Sequence, residues 1–213
     1  MPDAILPLLR GAIATLQIAI CATCLATVLG FLAAVVAQIG APLRLLVATY
    51  VSFIRGTPLL VQLLVVFYLL PKAGLNVTPF WAGVVALGIN GGAHIREMIR
   101  GALTAIPPGQ TEAARALAMS RFWIWLRIVM PQVFALILPP LTVEFAALLK
   151  GSALISIVGY VELTRQAQYQ LAISSHPYSI LIATAAIYGV MCLGVGELTR
   201  QMRRGLWRRG AAA

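Results

Sequence analysis

Residues 106–131 read IPPGQTEAARALAMSRFWIWLRIVMP, the longest stretch of the chain that is neither loop-like nor apolar enough to sit in lipid. Pro107, Pro108 and Gly109 end whatever precedes them, because proline lacks a donor and glycine relaxes the backbone. Residues 112–119 then read as a short helix of small residues. Glu112 falls in its first turn, where a negative charge suits the helix dipole. Ser120 can cap a second helix over 121–130, and Pro131 marks the next break. Long apolar segments flank this pair on both sides. A hydrophilic helical loop between such segments is either a helix lying on the bilayer surface or a docking element for a soluble partner.

Composition agrees with that setting. Hydrophobic residues make up 61% of the chain and charged residues 10%, with a mean hydropathy of +0.92. A soluble chain needs far more polar surface than this. Residues 1–213 read as one integral membrane domain, with no linker, no low-complexity tract and no internal repeat.

Five apolar segments are long enough to cross a bilayer, which takes about 20 residues as a helix. The first, 11–43, carries no charge and is too long for the apolar core of a cleaved signal peptide. The others are 45–71, charged only at Arg55; 79–95; 133–154, containing Pro139, Pro140 and Glu144; and 178–196. The runs are continuous and not alternating, so helices and not barrel strands are expected. Residues 151–161 form a shorter apolar run, expected as a re-entrant or surface helix. The fold class is therefore an all-α, polytopic membrane protein of about five transmembrane helices.

Five spans put the two ends of the chain on opposite sides. One side then carries Arg44, Arg96, Arg100, Arg115, Arg121, Arg127, Arg200, Arg203, Arg204, Arg208 and Arg209, and the other Arg10, Lys72, Lys150 and Arg165. The positive-inside rule places the Glu112 loop and the C-terminus in the cytoplasm and the N-terminus outside. The net charge of +10 is topology and lipid contact, not nucleic-acid binding.

Chemistry motifs are mostly missing. There is no GxxxxGK[ST], so the chain has no P-loop for nucleotide. Cys21 and Cys24 form a CxxC inside an uncharged span, where nothing lowers a thiol pKa. Cys192 stands alone, so no disulfide framework is implied. His94 and Glu97 share a helix face, but two ligands make a polar helix end more readily than a metal site. His176 stands alone before Pro177. No Ser/His/Asp set is visible, so the chain reads as a non-enzyme. Gly88 and Gly92 form a GxxxG, a close-packing face.

Two ionisable residues remain inside spans. Glu144 falls near the middle of the fourth, four residues after an expected Pro139–Pro140 break. A charge at that depth faces a polar cavity or is paired, so Glu144 is either a pathway residue or the partner of a basic residue such as Arg55. Arg55-Gly-Thr-Pro58 is the other site, with a plain reading as a helix start that puts Pro58 in the first turn.

These residues carry a resemblance. Glu112-Ala113-Ala114, then Ile128 and Pro131, resembles the EAA loop of the permease subunits of bacterial ABC importers. Ala118 stands where that pattern has Gly, and Met130 where it has Leu. Alanine takes a left-handed conformation only at a cost, so a differently shaped turn is expected. Arg55-Gly-Thr-Pro-Leu-Leu-Val-Gln62 and Asn90-Gly-Gly-Ala-His-Ile-Arg-Glu-Met-Ile-Arg-Gly101 resemble the polar amino acid group of that family, which serves glutamine, histidine and arginine. Leu138-Pro-Pro-Leu141, Lys150-Gly-Ser-Ala-Leu154 and Glu162-Leu-Thr-Arg-Gln166 resemble its later blocks. The glutamine permeases are nearest in wording. His94 replaces a usual Tyr, Val143 a usual Asn, and Gly151-Ser-Ala153 a usual Asp-Thr-Ser.

The resemblance implies a permease subunit of the bacterial inner membrane, paired with a second copy or a related permease. Two ATP-binding subunits would dock on the cytoplasmic coupling helix through Glu112, Ala113, Ala114, Leu117 and Ala118. A substrate-binding protein would deliver a polar amino acid from outside. Arg55, Thr57, Gln62, Asn90, His94, Glu144 and Lys150 would line the substrate pathway. The chain would bind no cofactor, ATP being used by the partner subunit. The competing reading is an ion-coupled channel or carrier that works without an ATPase.

Overall fold

The computed structural model describes residues 2–210 and the side chains of residues 4–202. Arg203, Arg204, Arg208 and Arg209, which weigh in the charge split, lie outside the described side chains. Two parallel helices, α1 (Pro2–Ile39) and α4 (Pro79–Ala105), make the most extensive contact. Small residues set how closely they approach. A Cβ at Gly91 would lie 2.9 Å from the Ala26 Cβ, and one at Gly30 would lie 2.7 Å from the Ile95 Cβ. Gly88 and Gly92, the expected close-packing face, meet Leu25 and Leu29 of α1. In lipid there is no hydrophobic gain from bringing apolar helices together, so close backbone packing is what holds them.

Between this pair the chain makes α2 (Ala41–Gly56) and α3 (Leu59–Lys72). Residues 45–71, expected as one span, are instead two helices bent by 106°. The cause is local. Pro58 clashes with a helical residue before it, so Thr57 is driven to an extended backbone with φ −111° and ψ 143°.

After the loop come a single helical turn, α6 (Arg121–Ile124), a π-helical segment (Trp125–Val129), α7 (Met130–Gly151) and a 3₁₀ segment (Ser152–Val158). Three expectations fail in this stretch. Pro131 does not break the helix, which is continuous from Arg121 to Val158. Pro139 and Pro140 do not break α7, which runs through both. The Thr142 hydroxyl donates to the Pro139 carbonyl at 2.7 Å and lies 2.5 Å from the Thr199 hydroxyl of α9. Neighbouring helices packed against it, here α4 and the α9 that follows, let prolines persist within a membrane helix. The run 151–161 is likewise not a separate surface helix. Its 3₁₀ segment prolongs α7 until Gly159, whose φ of +89° ends it. The chain closes with α8 (Leu163–Ile173) and α9 (Pro177–Gly210).

Among the described residues, three helical stretches are long and apolar enough to cross a bilayer, and the bent α2–α3 pair makes a fourth if it is one crossing. α4 has the length of a span with 27 residues, but Asn90, His94, Arg96 and Glu97 dilute its apolar character. It tolerates them because α1, α2, α3 and α7 enclose it, so its surface meets protein before lipid. α9 is the opposite case: only 6% of its most apolar window is buried.

The loop is one helix turn out of the expected register. α5 spans Pro108–Ala116, not 112–119, because Pro108 serves at the first position, where its missing N–H costs nothing. Glu112 therefore lies beyond the first turn. The helix closes with the Ala118 N–H donating to Arg115 (2.9 Å) and the Met119 N–H to Ala114 (3.2 Å), the bonding of a Schellman motif. Ala118 stands at its left-handed position with φ 55°, the one positive-φ residue other than glycine among those described. The turn thus keeps the shape a glycine would give, and alanine carries the strain. Ser120 precedes α6 but its side chain makes no cap.

Two predictions follow from this packing. Gly91→Val should destabilise the detergent-solubilised protein by about 1–3 kcal/mol, read as a lower unfolding midpoint. Gly101→Ala, which meets nothing within 4 Å, should not; equal stability of the two would refute the close-contact account. Ala118→Gly should relieve about 1 kcal/mol of left-handed strain and slow hydrogen exchange of the Ala118 and Met119 amides about fivefold. Unchanged or faster exchange would show that the turn is not strained.

Candidate functional site

The loop residues divide by direction. Glu112, Ala113, Ala116 and Leu117 are exposed on α5, and Leu117 is 78% accessible. Ala114 points the other way. It is 2% exposed and belongs to the main core with Ala102, Ile124 and Val129. Its small size serves the chain's own packing, so it is not part of a face offered to a partner. Ala118 is exposed at the turn. The loop is tied to the spans by Gln132, whose amide donates to the Gln110 side chain at 2.7 Å.

Three of the expected pathway residues meet at the α2–α3 bend. The Gln62 amide nitrogen donates to the Ile54 carbonyl (2.7 Å), the Thr57 carbonyl (3.1 Å) and the Thr57 hydroxyl (2.9 Å). Asn90 of α4 donates to the Gln62 oxygen at 3.1 Å. A helix end inside a membrane leaves carbonyls that water cannot reach, and Gln62 satisfies them. Gln62, Thr57 and Asn90 therefore hold the bend in shape.

The remaining pathway candidates are spread out. Contacts of Gly151 with Leu87 and of Gly91 with Leu148 show α7 running antiparallel along α4. Glu144 then stands level with His94 and Ile95. Its residue is 8% exposed and forms no ion pair among the described residues. The pairing with Arg55 weighed from sequence is not formed. Arg55 is exposed. Lys150 is exposed at the far end of α7.

Two further polar centres are built in the structure, one at Glu162, whose buried role the sequence reading missed, and one at Glu97, read from sequence as a polar helix end. Glu162 is fully buried. It caps α8 by accepting the Thr164 and Arg165 N–H groups, both at 2.8 Å, and it also accepts the Tyr188 hydroxyl of α9 at 3.0 Å and the Thr15 hydroxyl of α1 at 3.4 Å. Burial pushes its carboxyl above the ordinary value, while the Thr164 and Arg165 N–H groups favour the charged form. An acid directly before the amphipathic run 163–173 is a cap signal that could have flagged it. The second centre is Glu97, held between Arg96 and Arg100. Arg96 is 7% exposed, so this is a charge cluster at the cytoplasm-facing end of α4 in the expected topology. Among the described residues no group of three His, Cys, Asp or Glu could hold a metal.

The chain is similar to known proteins over almost its whole length. Residues 26–207 match the family described as binding-protein-dependent transport system inner membrane component. The L-cystine transport system permease protein of Bacillus subtilis strain 168 is 37% identical over 168 residues, covering 78% of this chain and 72% of that protein. The glutamine transport system permease protein of Escherichia coli K12 is 34% identical over 200 residues, covering 92% and 91%. A solved amino acid ABC transporter, crystallised with histidines, superposes with a TM-score of 0.87 at 38% identity over 93% of both chains. The MetNI methionine ABC transporter shares the fold, with a TM-score of 0.83 at 20% identity. Those matches leave the reading as a channel or carrier without an ATPase unsupported, and the chain belongs to the family of binding-protein-dependent transport system inner membrane components, the permease subunits of ABC importers.

Proposed function

We propose that this chain is the transmembrane subunit of an ATP-driven importer of a polar amino acid, with glutamine the first candidate. The names of its relatives support that substrate class. The observation that carries the reading is the two-sided α5 helix. Its inner side, at Ala114, is fixed in the chain's own core, and its outer side presents Glu112, Ala113, Ala116 and Leu117 to whatever lies beyond. A helix packed in this way moves with the spans, so a partner gripping its outer side can move them. That partner is a pair of ATP-hydrolysing subunits in the cytoplasm. The chain itself binds no cofactor and performs no chemistry. A second permease subunit, a copy or a paralogue, completes the pathway, and a substrate-binding protein delivers the amino acid from outside. The N-terminus faces outside and the C-terminus the cytoplasm. Glu144, buried without an ion-pair partner, supports a pathway role in which it faces the substrate's ammonium group. Thr57, Gln62 and Asn90 shape the bend beside that path, and Arg55, His94 and Lys150 lie along it.

The test is uptake of labelled glutamine into vesicles holding the permease with its ATPase subunits and binding protein. Uptake should require ATP and should be lost in Leu117→Arg, with the protein still inserted. Uptake that persists without ATP, or an undiminished Leu117→Arg, would sink the coupled-importer reading. In the same vesicles Glu144→Gln should accumulate normally while transport efficiency falls roughly 10- to 100-fold, the weight of a hydrogen bond to a charge. Parental transport would remove Glu144 from the pathway, and failure to accumulate would make it structural.

A further inference from the structure

The helix that leaves the loop carries an exposed apolar face outside the proposed coupling surface of α5. Phe122, Trp123, Trp125 and Leu126 are exposed by 67%, 44%, 39% and 48%. Arg121, Phe122, Trp125, Leu126 and Met130 line a groove of ≈ 350 Å³ along this helix. Arg121 stands at its end, with no ion pair among the described residues. The Arg127 guanidinium lies 4.5 Å over the Trp123 ring, also without an ion pair. Glu112 is the single acid in residues 106–131, against arginines at 115, 121 and 127, so the field here is positive.

Length sets the depth of this groove. The helical stretch Arg121–Val158 has 38 residues. At ~1.5 Å per residue it is about 57 Å long, against a hydrocarbon core of about 30 Å. The stretch is therefore long enough to reach beyond the hydrocarbon, and its exposed Trp123 and Trp125 put its first turns in the headgroup layer, where such tryptophans concentrate. An apolar trough that opens at an arginine at this depth fits a molecule with an acyl chain and an anionic head.

We propose that this groove holds one anionic phospholipid of the cytoplasmic leaflet, its chain along Phe122, Trp125, Leu126 and Met130 and its phosphate on Arg121. The inference rests on the membrane placement given above and not on the substrate. The bound lipid fixes the second loop helix at the membrane surface, next to the coupling helix.

Native mass spectrometry of the whole complex tests it, after extraction from vesicles of phosphatidylcholine and phosphatidylglycerol in equal amounts. The parent should retain phosphatidylglycerol over phosphatidylcholine. Arg121→Gln should weaken that retention about fivefold, the weight of one basic residue at an anionic surface. Arg121→Lys should retain most of it. Arg200→Gln, the same charge change at an arginine paired with Glu197, should leave it at the parental level. Equal retention of the two lipids by the parent overturns the proposal, as does equal loss from Arg121→Gln and Arg200→Gln. If Arg121→Gln releases the ATPase subunits while the lipid count stays constant, the face belongs to that partner. Loss of lipid selectivity in a complex that still transports leaves the importer reading intact, so the two can fail separately.

Discussion

The approach of α1 to α4 is the constraint on which the rest of the structure depends. Gly30, Gly88, Gly91 and Gly92 leave no room for a Cβ between the two backbones. Hydrocarbon gives packed apolar helices no advantage over lipid, so contact area at short range must supply the attraction. Once α4 is held in this way it becomes the enclosed centre of the bundle. That enclosure is what allows Asn90, His94 and Arg96 to sit on a membrane helix at all.

Backbone polarity is the second constraint, and side chains answer it locally. At the α2–α3 bend one amide, Gln62, covers carbonyls at Ile54 and Thr57 and is itself held by Asn90. At the end of α5 the answer is a Schellman turn that forces Ala118 into the left-handed region. In each case a backbone group that a helix end leaves unpaired has been given a protein partner. The loop follows the same rule at its start, where Pro108 opens α5 because its missing N–H costs nothing there.

Glu144 and Glu162 show what a buried acid can become. Glu162 accepts bonds from three helices and acts as a structural joint. Glu144 is nearly as buried but has no ion-pair partner among the described residues, which is why a pathway role is proposed for it. Burial alone does not distinguish them; the donors around each carboxylate do.

The sequence by itself determined the membrane class, the helical character of the apolar runs and the helical nature of the polar loop between α4 and α7. Each is a property of composition or of local pattern, and lipid allows few ways to satisfy a backbone. The close-packing role of Gly88 and Gly92 was legible for the same reason. Tertiary structure alone decided the rest. Prolines at 139 and 140 promised a break, yet α7, packed against α4 and α9, runs through both, while Pro58 drives Thr57 to an extended backbone and does produce one. Ala114 and Ala113 are identical in type and adjacent in sequence, and only the seat of α5 on the core makes one buried and the other free. A residue's environment depends on neighbours distant in the chain, and no local pattern records which helix will lie beside it.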